Sequence, residues 1–343
     1  MELQSLRPLV LDQRLPSEDE VGGESLCSTS LSVATLERLL RRSIAMRVRD
    51  IPTITLVDQI ETLPKPSRLA VLFSGGLDCT VLARVTHDML EPDEPVDLLN
   101  VAFENPRVHK QAKTGPQAAE YSPYELCPDR ITGRASFLEL QQTCPNREWR
   151  FVAIDIPYVE TMAHRKEVMN LMHPHNTEMD LSIACALYFA ARGSGCIRLG
   201  DESTIPYTSA ARVLLSGLGA DELFGGYTRH GTAFSRKGYP GLLKELELDV
   251  SRLGKRNLGR DDRVISTWGR EARFPFLDES LVNWALQIPV WYKCGFGEQV
   301  TEDETIDGSK RLDPSKKVLR CVAWNLGMKR VANEKKRAVR TIY

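Results

Sequence analysis

Two patterns of hydrophobic positions alternate through the first two thirds of the chain. Predominantly apolar runs lie at residues 69–73, 96–103 and 151–156, and runs of this length between turn residues are typical of buried strands in a parallel sheet. Between the runs, apolar residues recur every three or four positions, as they do on the inner face of a helix. This alternation predicts an α/β fold with a mostly parallel sheet flanked by helices.

Further helices are predicted outside the strand region. Residues 36–44 carry an apolar stripe at helical spacing, and residues 177–192 form an almost wholly apolar helix. Asp180, near the start of the second helix, is either a first-turn carboxylate favoured by the helix dipole or a residue that lines a site. From residue 242 onward the pattern predicts a helical C-terminal part, in which Asp278 caps a helix.

The first apolar run ends in Ser-Gly-Gly-Leu-Asp at residues 74–78, and a helical pattern follows. At such a junction, the N–H groups of the first helical turn and the positive end of the helix dipole can hold an anion. Glycines let a phosphate approach the backbone, Ser74 and Thr80 offer hydroxyl groups, and Asp78 suits a phosphate carried with Mg²⁺. The alternative is an ordinary strand-to-helix junction with Asp78 as a helix-start carboxylate.

A second glycine loop follows the short apolar run at residues 213–215. It has the sequence Ser-Gly-Leu-Gly-Ala-Asp-Glu at residues 216–222. Two strand ends, each with a Ser-Gly turn and an acid shortly after it, fit a nucleotide site at the carboxyl edge of a parallel sheet. We therefore predict that Asp78 and Asp221 are the two metal-binding carboxylates. The alternative is a tight loop with solvated acids.

With these loops, the sequence resembles the synthetase domain of the asparagine synthetase family, whose members have the Ser-Gly-Gly-Xaa-Asp pyrophosphate loop and the adenine nucleotide alpha-hydrolase fold. The resemblance runs from about residue 36 to residue 327. Beside the two loops it includes residues 98–103, 128–134, 180–184, 257–263 and 271–278. It implies a synthetase domain over residues 31–327 and a truncated basic tail at residues 328–343. Residues 1–30 are rich in Ser, Glu, Asp, Pro and Gly, which predicts a flexible tail or linker.

The resemblance also implies ATP-dependent amide formation. The side-chain carboxylate of aspartate attacks the α-phosphorus of ATP, pyrophosphate leaves, and ammonia then displaces AMP from the acyl-adenylate. The implied cofactors are ATP and Mg²⁺, the implied catalytic residues are Asp78, Asp221 and Lys336, and the implied metal ligands are Asp78 and Asp221. The implied nucleotide-binding residues are Phe73, Ser74, Gly75, Gly76, Asp78, Cys79, Thr80, Ala102, Ser216 and Gly217.

Three departures from the family pattern weigh against full activity. Leu218 stands where the asparagine synthetases have a Glu, and an aliphatic side chain can neither accept a proton nor hold an ammonium ion. Cys79 replaces the usual Ser, and the segment after residues 336–338 lacks the family's Gln-Phe-Gly-Ser-Arg. One alternative is therefore a catalytically impaired ATP-binding protein that acts through protein partners. Another is a tRNA-modifying adenylating enzyme.

Composition narrows the expected partners. A chain of 343 residues that is 42% hydrophobic can bury a full core, and its net charge of -1 gives no general attraction to nucleic acid or acidic membranes. Eight cysteines without a Cys-Xaa-Xaa-Cys pair favour a reducing compartment. No apolar run is long enough to span a membrane. We expect a soluble, cytoplasmic protein that uses ATP, aspartate and ammonia.

The nitrogen source follows from the start of the chain. In the family, a glutaminase domain precedes the synthetase part, with a nucleophilic cysteine directly after the initiating Met. Here Glu2 follows Met1, and no such domain fits before residue 31. We therefore expect no glutamine hydrolysis by this chain, and a separate glutaminase is a candidate partner that would supply ammonia.

Overall fold

The structure is a computed structural model that describes residues 10–17, 25–52, 65–106, 122–200, 203–298 and 307–335. These residues form two compact units. We call the first the helical unit; it contains the described residues of Met1–Ser43, Leu218–Leu253 and Phe276–Asn333. We call the second the sheet unit; it contains those of Ile44–Gly217, Gly254–Pro275 and Glu334–Tyr343.

The described residues contain one seven-stranded sheet, which lies in the sheet unit. Its strands are β1 (Leu69–Leu72), β2 (Val96–Phe103), β3 (Trp149–Ile156), β4 (Ser194–Arg198), β5 (Thr204–Thr208), β6 (Val213–Leu215) and β7 (Glu271–Arg273). Their spatial order is β5-β4-β3-β2-β1-β6-β7. The neighbouring strands β3, β2, β1, β6 and β7 pair in parallel, whereas β4 is antiparallel to both β3 and β5. The predicted α/β fold with a mostly parallel sheet is confirmed.

Helices precede, separate and follow the strands. They are α1 (Leu31–Val48), α2 (Leu77–His87), α3 (Pro128–Thr143), α4 (Tyr158–Met172), α5 (Glu178–Arg192), α6 (Ala220–Phe224), α7 (Thr228–Leu253), α8 (Gly259–Ser266), α9 (Glu279–Gln287), α10 (Lys317–Asn325) and α11 (Lys329–Asn333). A π-helical turn at Gly254–Leu258 leads into α8. Asp278 accepts a hydrogen bond from the N–H of Ser280, which confirms it as the cap of α9.

The core of the sheet unit lies between the sheet and helices α4, α5 and α8. Helix α5 is apolar on nearly all sides because it is buried, which matches its sequence pattern. At its start, Thr177 caps the helix by accepting from the N–H of Asp180, and Arg260 of α8 donates to the Asp180 carboxylate at 2.8 Å. Of the two interpretations of Asp180, the structure therefore favours the first-turn carboxylate.

Several elements, β7 and α4 among them, are not predicted by the hydrophobic pattern. The part of the chain after residue 242 is mostly helical, but it contains β7. The three residues of β7 are too few and too charged to show a strand pattern, and the strand forms because it pairs with β6. Helix α4 exposes Val159 and Met162, so its apolar residues do not form one clear stripe.

Part of the N-terminal segment contacts the helical unit. Leu11 and Leu26 are buried, the N–H of Asp12 donates to the carbonyl of Leu286 at 2.7 Å, and Ser25 Oγ donates to Glu298 at 2.6 Å. The remainder of the predicted tail, residues 1–9 and 18–24, lies outside the described residues. Among the helices that the structure does describe, none combines the length and hydropathy that crossing a membrane requires.

Candidate functional site

The centre of the sheet is the point where the strand order changes direction. Strand β1 lies between β2, which follows it directly in the chain, and β6, which comes much later. At such a switch point, the loops beyond the carboxyl ends of the strands diverge and leave a crevice. A cavity of about 240 Å³ lies here, between the loop after β1 and the loop after β6.

Most of the predicted nucleotide-binding residues line this cavity. From the first loop these are Phe73, Ser74, Gly76, Asp78 and Cys79, and from the second they are Ser216 and Gly217. The two loops also touch, because a Cβ on Gly217 would lie 3.0 Å from the Cβ of Asp78. The sheet unit thus brings together two strand ends that are far apart in sequence.

Three of the predicted residues do not line the cavity: Gly75, Thr80 and Ala102. Thr80 and Ala102 are buried within α2 and β2. Gly75 instead faces α3: its φ is +81°, and a Cβ there would lie 2.5 Å from the backbone of Thr132 and Gly133. Ser136 Oγ also donates to the Gly75 carbonyl at 2.6 Å. Gly75 therefore shapes the loop through α3.

Helix α2 begins directly at the cavity. Gly76 is its N-cap, in an extended conformation without a capping side chain, and Asp78 lies in its first turn. An added Cβ on Gly76 would meet only Ser74 Oγ, at 3.5 Å, so the backbone is open to close approach at this position. A helix N-terminus with an accessible backbone favours an anion, and a carboxylate at the same place favours a cation that accompanies it.

Cys79 lies beneath this turn. Its Sγ donates to the Gly76 carbonyl at 3.3 Å and lies 3.7 Å from Ser74 Oγ. Burial raises the pKa of the Cys79 thiol above its ordinary value, so the thiol remains neutral at physiological pH. A neutral buried thiol takes the place of a hydroxyl in holding the loop, and it is a weaker donor.

We expect Cys79 to resist alkylation in the folded chain. At pH 7.5, iodoacetamide should modify it at least about tenfold more slowly than the half-buried Cys196, because only an accessible thiolate reacts readily. Mass spectrometry of peptides after timed alkylation measures both rates. The difference should disappear in urea, and equal rates in the folded chain would contradict the placement of Cys79.

The second predicted metal ligand, Asp221, belongs to the helical unit. Its Oδ1 lies 2.8 Å from Nζ of Lys316, whose side chain is only 4% exposed. Gly226 leaves room for this pair, since a Cβ there would overlap Asp221 Oδ1. Within this unit Asp221 is therefore the partner of a buried lysine, and a metal ion shared with Asp78 stays a prediction.

The third predicted catalytic residue, Lys336, lies outside the described residues. Across the part of the chain that the structure describes, no group of three or more His, Cys, Asp or Glu side chains is arranged to hold a metal ion. Among the described residues, Asp78 and Asp129 are the carboxylates that line the cavity, so ligand oxygens and water would complete the shell of a cation there.

The sequence did not reveal several residues of the cavity wall. Asn100 interrupts the apolar run of β2, and Asp129 opens α3; both had a detectable signal as polar residues in or beside predicted buried elements. The wall from α5, at Ala186, Leu187 and Ala190, had none, because helical periodicity does not say which strand ends a helix covers.

The fold and the cavity define the class of the protein. It is an α/β protein with a glycine loop, a helix N-terminus and an acidic residue at the switch point of its sheet, which are features of nucleotide-binding folds. A model of the asparagine synthase family matches residues 207–244 and 235–341.

Curated relatives agree with that match. The chain is 40% identical over 298 residues to asparagine synthetase domain-containing protein 1 of Bos taurus, covering 78% of this chain and 46% of that protein. It is 38% identical over 290 residues to the asparagine synthetase domain-containing protein YML096W of Saccharomyces cerevisiae, covering 82% and 50%. The chain thus spans about half the length of these relatives. It carries an asparagine synthase domain, and the resemblance to the asparagine synthetase family is confirmed.

Proposed function

We propose that the sheet unit binds Mg²⁺-ATP in the switch-point cavity, and that the chain transfers AMP to a carboxylate before ammonia forms an amide. The acceptor that we propose is the side chain of aspartate, as in the asparagine synthetases. One observation carries the proposal: the Ser-Gly-Gly loop joins β1 to the start of α2 at the switch point, against the loop after β6, in a chain with an asparagine synthase domain.

In this proposal the pyrophosphate part of ATP lies at the start of α2. The N–H groups of the first turn and the helix dipole stabilise its charge, and the hydroxyls of Ser74 and Ser216 are available as further donors. Charge builds up on pyrophosphate as its bond to the α-phosphorus breaks. Donors that are fixed in place before this step lower the barrier, because they need no rearrangement during the reaction.

The residues of the cavity fit Mg²⁺. This ion prefers oxygen ligands and is often held by one or two carboxylates, with phosphate oxygens and water completing its shell. Asp78 is the carboxylate that would hold it. When bound, the ion would neutralise phosphate charge and favour departure of pyrophosphate.

The apolar part of the cavity lining would accept the nucleoside. Leu72, Val101 and Leu187 give it an apolar wall, and Ala186 and Ala190 leave space against α5. An adenine base is planar and weakly polar, and apolar walls with a few polar groups are typical of sites for such ligands. The base would therefore lie between the sheet and α5, with its phosphates directed to α2.

Product analysis tests the proposal. Purified chain given Mg²⁺-ATP and ammonia should form AMP, pyrophosphate and asparagine when aspartate is present, and none of the three when it is absent. Formation of ADP and phosphate would contradict transfer of AMP.

The alternative function, an ATP-binding protein with little or no turnover, is favoured by Leu218. If the missing carboxylate limits an otherwise intact synthetase, Leu218→Glu should raise asparagine formation by about tenfold or more, since a positioned acid or base contributes about 100-fold or more to proton transfer. Leu218→Gln is the matched control, because it has similar size and no charge. Tight Mg²⁺-ATP binding without turnover in wild type and in Leu218→Glu would support the alternative.

A further inference from the structure

A buried polar cluster lies under the loop that follows β1. Its centre is Asn100, which is only 1% exposed and stands midway along β2. Its Nδ2 donates to the carbonyl of Phe73 at 2.9 Å and to that of Asp129 at 3.0 Å. Because Phe73 and Asp129 both line the cavity, this one amide connects the end of β1 with the start of α3.

Arg130 fixes the orientation of that amide. Its Nε donates to Asn100 Oδ1 at 2.7 Å, and its guanidinium also reaches Glu125 at 2.9 Å and Asp155 at 2.6 Å. The side chain of Arg130 is completely buried, and such a charge is tolerated only where carboxylates and carbonyls surround it. Since only the amide oxygen can face a guanidinium, the amide nitrogen must face the two carbonyls.

Helix α3 holds the same loop from a second side. The backbone of Gly75 lies directly against that of Gly133, and Ser136 Oγ donates to the Gly75 carbonyl. Gly133 must remain small as well, because a Cβ there would lie 2.6 Å from Asn100 Nδ2. The loop is thus held at Phe73 by Asn100 and at Gly75 by α3.

We propose that Asn100, oriented by Arg130, is a positioning residue for the phosphate-binding loop. It fixes the carbonyl of Phe73, and thereby the direction in which residues 74–76 enter α2. A loop held in this way has its N–H groups aimed before the ligand arrives, so that little ordering has to accompany binding. The identity of the ligand rests on the proposed function, whereas the restraint of the loop does not.

The test compares the nearly isosteric variant Asn100→Asp with wild type and with a control variant. Asn100→Asp replaces a donor by an oxygen that faces the carbonyls of Phe73 and Asp129. Hydrogen exchange of the backbone amides at residues 73–80 should then accelerate at least tenfold. The Kd for Mg²⁺-ATP and the KM for ATP should rise ten- to hundredfold, while the KM for aspartate changes less than twofold.

Arg147→Lys supplies the matched control. Arg147 is also buried, and it donates to the backbone carbonyls of His87 and Glu94 at 2.8 and 2.6 Å, away from the residues of the cavity. This variant should accelerate exchange near residues 87–94 and leave both the Kd for Mg²⁺-ATP and exchange at residues 73–80 within twofold of wild type. A general loss of stability would affect both variants alike.

Each outcome has a distinct meaning. Unchanged exchange at residues 73–80 in folded Asn100→Asp overturns the positioning role. If Asn100→Asp does not fold, Arg130→Lys is measured in the same way, because it keeps the charge and shortens the reach to Asn100; wild-type exchange there overturns the proposal equally. Faster exchange at residues 73–80 in a chain that binds no Mg²⁺-ATP supports the positioning of the loop and contradicts the proposed function instead.

Discussion

Asp78→Asn should lower pyrophosphate release from Mg²⁺-ATP at least about 100-fold, because stabilisation of a leaving group by metal ions amounts to several kcal/mol. Asp78 lies in the first turn of α2 and lines the switch-point cavity. The amide has the same shape as the carboxylate, so packing against Gly217 is retained while the negative charge that would hold the ion is lost. The rate should not recover with saturating ATP if the ion acts in the chemical step.

The control for this variant lies on the same helix. Asp88 is the C-cap of α2 and accepts from Arg84 at 2.7 Å. Asp88→Asn removes an acid of the same type at the far end of the helix, and an exposed pair of this kind contributes about 0–1 kcal/mol to stability. Its rate of pyrophosphate release should stay within about twofold of wild type, as expected for a site that is not catalytic. Equal rates of pyrophosphate release by Asp78→Asn and wild type would contradict the assignment of Asp78 as a metal ligand.

Gly75→Ala should reduce the free energy of unfolding of the sheet unit by about 2–5 kcal/mol, from two contributions. A left-handed backbone conformation costs an L-residue about 1–2 kcal/mol, and a methyl group forced into a packed region costs about 1–3 kcal/mol more. At Gly75, with φ at +81°, the methyl group would meet the backbone of α3, which cannot move aside as a flexible side chain would. Urea unfolding followed by circular dichroism measures the loss.

Gly269→Ala separates the two contributions. Gly269 has a φ of +68°, but no atom lies within 4 Å of an added Cβ. It should therefore show only the conformational cost of about 1–2 kcal/mol. If Gly75→Ala were no more destabilising than Gly269→Ala, the close approach of the loop to α3 would be wrong.

The parts of the fold that the sequence predicted well are those in which burial alone decides the pattern. The strands β1, β2 and β3 are buried along most of their length, so they are predominantly apolar runs, which polar residues such as Asn100 interrupt at few positions. Strand β7 was missed because its formation depends on pairing with β6, a long-range contact that its own residues do not encode.

The cavity shows the same division between local and distant determinants. A glycine after a strand predicts that another group approaches its backbone closely, but the sequence does not identify that group. Gly76 borders the cavity, whereas Gly75 contacts α3. Asp221 was predicted from its loop alone, while its partner Lys316 lies almost a hundred positions later in the chain. The role of the Asn100 amide could not be predicted, because it depends on contacts with Arg130 and Phe73 that lie elsewhere in the sequence.

Exchange of labelled pyrophosphate into ATP is the decisive measurement for adenylation by this chain, because it detects reversible formation of an acyl-adenylate without any need for ammonia. We expect exchange that requires Mg²⁺ and aspartate and that is lost in Asp78→Asn. Tight binding of Mg²⁺-ATP without exchange, under any combination of these conditions, would contradict adenylation and leave a nucleotide-binding protein without this chemistry.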